Sequence, residues 1–377
     1  MSSDGSSAAA DAGAPTRRLV LVAGVGRSGT SLFTSILGQA GFHVPQPEVD
    51  ADSTNPKGFG EPKWVVDFHG RQLRSRRVSV WDSRPSAWQD TARAVDDPAA
   101  LAELRGWLKV QFVGRDSVVV KDPRIGWFLP LWEKAAEDIG VEVSFATLLR
   151  HPAEAVSSAL KWYGDWQTPA SRTVSWLNIM LETEYATRGR KRVFVRYDDL
   201  LTDWSGQVAR TGHALSVPAL QDLDPDVRAS IDAFVDPTLH RQKVSFADLG
   251  VPAAVEQRTE QVWSEFLELA VPDGDGPEAM ARLDASREDY RAYYAEIEAI
   301  AQSSLHALRP AGGAAGARGG GAAKGAARAG VARGGGADAL IRVAERLVPR
   351  SLLRRVPPVW RARLVRTANR ASRLVRH

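Results

Sequence analysis

One segment constrains the fold more than any other. The apolar run Leu19–Ala23 leads straight into Gly24-Val25-Gly26-Arg27-Ser28-Gly29-Thr30-Ser31, and a helical pattern over Ser31–Ala40 follows at once, closed by Gly41. An unbroken apolar run of strand length belongs in a sheet that is covered on both faces. A strand that turns directly into a helix through glycines begins a crossover unit, and crossover units build parallel sheets. Three further runs repeat the signal: Ser117–Val120, Val143–Leu149 and Arg192–Val195. The third strand ends at Arg150-His151-Pro152, where a proline suits the first turn of a helix continuing through Ala153–Trp162. The expectation is an α/β fold: a P-loop-type, mostly parallel β-sheet flanked by helices on both faces. Such sheets bind ligands at the carboxyl ends of their strands. The glycine turn and Arg150 both fall at such ends.

The turn is suited to an anion. Its glycines permit a tight bend with backbone N–H groups directed inward, and the following helix adds the positive end of its dipole. Thr30 and Ser31 contribute hydroxyls at the helix start. The spacing Gly24-x4-Gly29 is that of a Walker A loop, but Thr30 stands where that loop has its lysine. The cation sits instead at Arg27. An enzyme working on the γ-phosphate of ATP or GTP uses that lysine. A cation placed earlier suits a donor without a γ-phosphate, whose leaving group is the 5′-phosphate itself.

The string Arg27-Ser28-Gly29-Thr30-Ser31 after a strand resembles the 5′-phosphosulfate loop of sulfotransferases that use 3′-phosphoadenosine 5′-phosphosulfate (PAPS). Arg150 at a strand end, with Ser158 eight residues on in the next helix, is similar to the same family's 3′-phosphate motif. Helical geometry turns the neighbouring Ser157 about 100° away from Ser158. A weaker likeness is Phe194-Val195-Arg196-Tyr197-Asp198-Asp199-Leu200-Leu201, similar to the family's strand ending in Arg-Tyr-Glu-Asp-Leu. The resemblance covers roughly residues 18–245. It implies PAPS as sulfuryl donor and no metal. Arg27 would stabilise charge on the bridging oxygen; Lys121, which follows the strand Ser117–Val120 near the same edge, is a candidate to assist it. Gly26, Ser28, Gly29, Thr30 and Ser31 would hold the 5′-phosphosulfate. Arg150 and Ser158 would take the 3′-phosphate, and Tyr197 would lie near the adenine. Leu239-His240-Arg241-Gln242-Lys243 is a further candidate source of cations.

The acceptor must lose a proton, and here the chain departs from the family pattern. Cytosolic members carry His in a Lys-Thr-His string; this chain has Lys121-Asp122-Pro123-Arg124. The first candidate base is therefore Glu61, in the glycine-containing loop Asn55-Pro56-Lys57-Gly58-Phe59-Gly60-Glu61, followed by Asp122 and then His69. The acceptor itself is left open as a carbohydrate, glycolipid or small molecule offering a hydroxyl or amine. Its pocket is expected around Trp64–Trp88 and Tyr163–Met180. The twelve Trp of the chain serve either core packing or an acceptor wall. Two other readings compete: a P-loop small-molecule kinase or nucleotide hydrolase, and a non-catalytic nucleotide- or anion-binding module.

The rest of the chain divides by composition. Residues 1–15 read as a disordered leader without the pattern of a secretory signal. Residues 16–309 form the sulfotransferase-like domain, 310–337 a Gly/Ala-rich linker and 338–377 a basic amphipathic tail. The formal charge is −9 over 1–309, +4 over 310–337 and +9 over 338–377, so the basic balance belongs to the tail and does not argue for specific nucleic-acid binding. In the tail Leu340, Val343, Ala344, Leu347 and Val348 share one helical face, which suits an anionic membrane surface, an acidic polymer or partner, or a solvated tail. The absence of Cys excludes disulfides and thiolate chemistry. Together these features suggest a cytoplasmic protein, with the inner membrane face as a peripheral site.

Overall fold

The computed structural model describes residues 17–53, 55–164, 167–236 and 243–308. The expected leader, linker and tail, and Leu239–Gln242, lie outside the described residues. Along the chain come β1 (Arg18–Ala23), α1 (Thr30–Gln39), α2 (Lys63–Ser75), α3 (Ser86–Ala92), α4 (Pro98–Gln111), β2 (Ser117–Lys121) and α5 (Leu129–Glu137). They are followed by β3 (Glu142–Leu149), α6 (Pro152–Tyr163), α7 (Pro169–Ala186), β4 (Arg192–Arg196), α8 (Tyr197–Thr202), α9 (Trp204–Ala214) and α10 (Pro225–Phe234). The last helices are α11 (Phe246–Leu249), α12 (Ala253–Leu269) and α13 (Pro277–Leu308).

The four strands form one parallel sheet in the order β2-β1-β3-β4. Leu21 pairs with Val120 on one side and with Phe145 on the other, and Leu149 pairs with Arg196. Strand residues alternate between two cores, as a pleated sheet requires. Leu19, Leu21, Val118, Val120, Phe145 and Phe194 pack into one. Val20, Val22, Val119, Ala146, Leu148, Val193 and Val195 pack into the other. Helices α1, α9 and α10 contribute to the second core, while α4, α5, α7 and α12 contribute to the first. Both faces are thus covered, which explains why the strands read as continuous apolar runs.

Local chemistry sets where helices begin and end. Gly41, at φ 96°, ends α1: Phe42 N–H donates to Leu37 O and Gly41 N–H to Gly38 O, the paired bonds of a left-handed helix stop. Asp97 caps α4 by accepting from the Ala99 and Ala100 amides, and Thr168 caps α7 through the Ser171 amide. Pro152 and Pro169 occupy first turns, where a missing N–H costs nothing. Among the described residues no helix is long and apolar enough to cross a membrane.

Candidate active site

All four strands deliver a residue to one cavity at their carboxyl ends. The glycine turn follows β1, Lys121 ends β2, Arg150 follows β3 and Tyr197 follows β4. The cavity measures about 460 Å³, within the range of small-molecule sites. Gly26, Arg27, Gly29, Thr30, Ser31, Glu61, Lys121, Arg150, Ser158 and Tyr197 line it, so the structure brings these predicted site residues together. Five cationic side chains, Arg27, Lys57, Lys121, Arg150 and Lys161, face it against three carboxylates, Glu61, Glu154 and Asp236. That balance favours an anionic occupant.

The turn earns its glycines. Gly24 adopts φ 122°, and a Cβ there would come within 2.8 Å of Leu148 O on β3. Gly29 adopts φ 89°, and a Cβ there would collide with the Tyr197 ring. Gly29 also caps α1 without a side-chain hydrogen bond, which leaves the first amides of the helix to other partners. Arg27 takes φ 76°, a left-handed conformation uncommon outside glycine. Its Nε donates to Ser158 Oγ at 3.0 Å.

Two clusters of charge face each other across the turn. On one side Lys121 Nζ donates to Glu61 Oε1 at 2.5 Å, to Ser31 Oγ at 3.3 Å and to Phe59 O at 3.3 Å. Glu61 reaches this position because Gly60, at φ 64°, lets its loop press against Thr34 of α1, while Glu61 O accepts from the Val49 amide. On the other side Arg150 Nε donates to Glu154 Oε2 at 3.0 Å and Nη1 to Arg27 O at 3.1 Å. The Arg150 guanidinium lies 4.9 Å from the Tyr197 ring centroid. Burial pushes the Tyr197 phenol upward, and Arg150 opposes this.

Several expectations need correction. Asp122 does not line the cavity: it is fully buried, 3.3 Å from His69 Nδ1, and its carboxylate accepts from Arg124 Nη1 at 2.8 Å and from the Arg124 amide at 2.7 Å. Burial pushes its pKa up, but His69 and Arg124 outweigh that and hold it at about 2. A carboxylate so held is a poor base. His69 is also buried away from the cavity, and its Nε2 accepts from the Trp132 indole at 2.9 Å. Burial lowers its pKa. Ser28 is buried with no hydrogen-bond partner for Oγ and does not face the cavity. Ser157, expected to turn away, lines the cavity beside Ser158.

The acceptor segment Trp64–Trp88 contributes nothing to the cavity lining. Trp64 stacks between Phe68, at 5.0 Å, and Trp107, at 4.7 Å, and Trp81 is buried in the core. Tyr163 does line the cavity, together with Trp162 and Phe59. Trp162 and Tyr163 are 38% and 44% exposed, which makes an accessible aromatic rim. Lys57 is a residue that sequence reasoning missed: Nζ donates to Phe234 O at 2.5 Å and lies 4.7 Å from the Phe234 ring, joining the 55–61 loop to the end of α10. Among the described residues no group of three or more His, Asp or Glu comes together as a metal site.

No protein-family model and no curated protein matches the chain. Among solved structures it is similar to sulfotransferase STF1 from Mycobacterium tuberculosis H37Rv, at 16% identity over 65% of this chain and 76% of that one, with a TM-score of 0.38. It is similar to the sulfotransferase domain of the Synechococcus PCC 7002 olefin synthase, at 18% identity over 67% of this chain and 96% of that one, with a TM-score of 0.38. The sulfotransferase domain from the curacin biosynthetic pathway gives 13% identity over 72% of this chain and 98% of that one, with a TM-score of 0.35. Likenesses this loose leave the chemistry to rest on the residues themselves.

Proposed function

We propose that the protein is a sulfotransferase that moves a sulfuryl group from PAPS to a hydroxyl or amine of a carbohydrate, glycolipid or small-molecule acceptor. One observation carries this reading: a single cavity joins a glycine turn bearing Arg27, and lacking the Walker lysine, to Arg150 after β3 and Ser158 on α6. Two cationic stations in one cavity suit a nucleotide with a phosphosulfate at one end and a phosphate at the other.

In the proposed reaction Glu61 accepts the proton of the acceptor hydroxyl. The acceptor oxygen bonds to sulfur as the bond from sulfur to the bridging oxygen breaks, and that oxygen leaves on the 5′-phosphate with the electron pair. Sulfuryl transfer of this in-line kind depends on positioning and on fixed charge at the departing oxygen. Arg27 supplies that charge and Lys121 adds to it, while Lys121 also fixes the Glu61 carboxylate. The rim of Trp162 and Tyr163 offers apolar faces against which an acceptor ring can stack.

The test is an acceptor panel incubated with PAPS in one arm and with ATP and Mg²⁺ in the other, read by mass. A gain of one SO₃ unit with PAPS alone is expected. A phosphoryl gain in the ATP arm, or no binding of adenosine 3′,5′-bisphosphate by calorimetry, would overturn the reading.

A further inference from the structure

Arg27 carries a long side chain in a left-handed backbone conformation, φ 76°. Such a conformation is uncommon outside glycine and persists only where its surroundings hold it. One contact on its backbone is the bond from Arg150 Nη1 to Arg27 O at 3.1 Å. Arg150 is itself fixed from two other directions. Glu154, one helical turn on in α6, accepts from Nε at 3.0 Å, and the Tyr197 ring lies 4.9 Å from the guanidinium. That ring in turn fills the space that a side chain at position 29 would need. The guanidinium is therefore pinned by a carboxylate and a ring, with one arm directed at the turn backbone. With its backbone so held, Arg27 sends its side chain to Ser158 on α6.

We infer that Arg150 is a positioning residue for the phosphate turn, bracing the left-handed Arg27, in addition to its role toward a remote phosphate. The inference rests on the PAPS reading and extends it: one side chain serves both anion stations, so the two are energetically linked. A residue that met only the 3′-phosphate would have no effect on a nucleotide that lacks it.

The test compares wild-type protein with Arg150→Lys, which keeps the charge but cannot fork between Glu154 and the Arg27 carbonyl. Calorimetry measures adenosine 3′,5′-bisphosphate and adenosine 5′-monophosphate, the latter without a 3′-phosphate. Transfer assays give kcat at saturating PAPS, and thermal melting confirms the fold. The expected result is a loss of about tenfold in 5′-monophosphate affinity and about tenfold in kcat, the scale of one charge-assisted hydrogen bond. A merely structural role would lower the melting temperature, and a pure 3′-phosphate role would spare both quantities. Wild-type values for either 5′-monophosphate affinity or kcat in Arg150→Lys, or losses matched by a lowered melting temperature, overturn the brace alone. Wild-type protein that binds neither nucleotide overturns the donor reading and the brace with it.

Discussion

Lys121 Nζ lies 2.5 Å from Glu61 Oε1 and 3.3 Å from Ser31 Oγ, so the proposed base is tied to the start of the helix that follows the phosphate turn. The loop carrying Glu61 and the end of β2 meet only through folding, yet both face the same cavity. In the proposed reaction this neighbourhood meets both donor and acceptor proton, two jobs that a mutation can distinguish.

Glu61→Gln keeps the size and most of the hydrogen bonding of the side chain while removing its basicity. We expect kcat to fall by about 10²-fold or more, the usual contribution of a general base, with affinity for adenosine 3′,5′-bisphosphate unchanged. Steady-state transfer assays paired with calorimetry check this. Normal turnover would remove Glu61 from the proton path.

The same ion pair should show in stability. Lys121→Met strands a mostly buried carboxylate, at a cost of about 3 kcal/mol. The double change Lys121→Met with Glu61→Gln should recover part of that loss, because no charge is then left alone. Urea midpoints of the four proteins form the cycle; simple additivity would mean that the pair contributes no coupling.

Arg27→Ala should lower kcat by about 10²–10³-fold, the scale seen when a donor to a developing negative charge is removed. Affinity for the product nucleotide should change far less, since the backbone amides of the turn remain. A fall in affinity alone would assign Arg27 to binding.

Acid should destabilise the protein through the buried His69–Asp122 pair. Asp122 is held at about 2 when folded, below the usual carboxylate range, so its stabilisation is complete above about pH 4 and disappears as pH falls through about 2. His69 has its pKa lowered by burial; the unfolded chain therefore takes up a proton below about pH 6.5 before the folded one does, and stability falls in the same direction. Asp122→Asn should flatten the decline between about pH 4 and 2, measured by urea midpoints across pH. An unchanged acid limb would refute the assignment.

Gly29→Ala should destabilise the protein by roughly 1–3 kcal/mol and impair donor binding, because the position combines φ 89° with the Tyr197 ring at van der Waals overlap. Adding Tyr197→Ala should relieve the collision but not the backbone strain, so stability should return only in part.

Much of the scaffold was readable in advance because its signals are local. Each strand was placed to within a residue at either end, since a strand buried on both faces writes an unbroken apolar run. Gly41 marked the end of α1 because a left-handed stop favours glycine. The site was legible as far as spacing along one element places the glycine turn, Arg150 and Ser158 at one cavity, but Ser158 accepts from Arg27 and Arg150 binds Glu154. It was illegible where long-range packing decides. Nothing local reveals that Trp64 stacks on Trp107, which removes the 64–88 segment from the cavity, or that His69 and Arg124 bury Asp122. Lys57 escaped notice because its partner at Phe234 lies far along the chain.

The order β2-β1-β3-β4 has an evolutionary corollary. The charged groups proposed to meet the donor hang mainly from strand ends, whereas Trp162 and Tyr163 sit on the outgoing turn of α6, with the Tyr163 ring against the phosphate turn beside Gly26. Drift at Trp162 can retune what is admitted while the turn keeps its shape, whereas drift at Tyr163 reaches the turn as well, so the doorway and the hearth share one post.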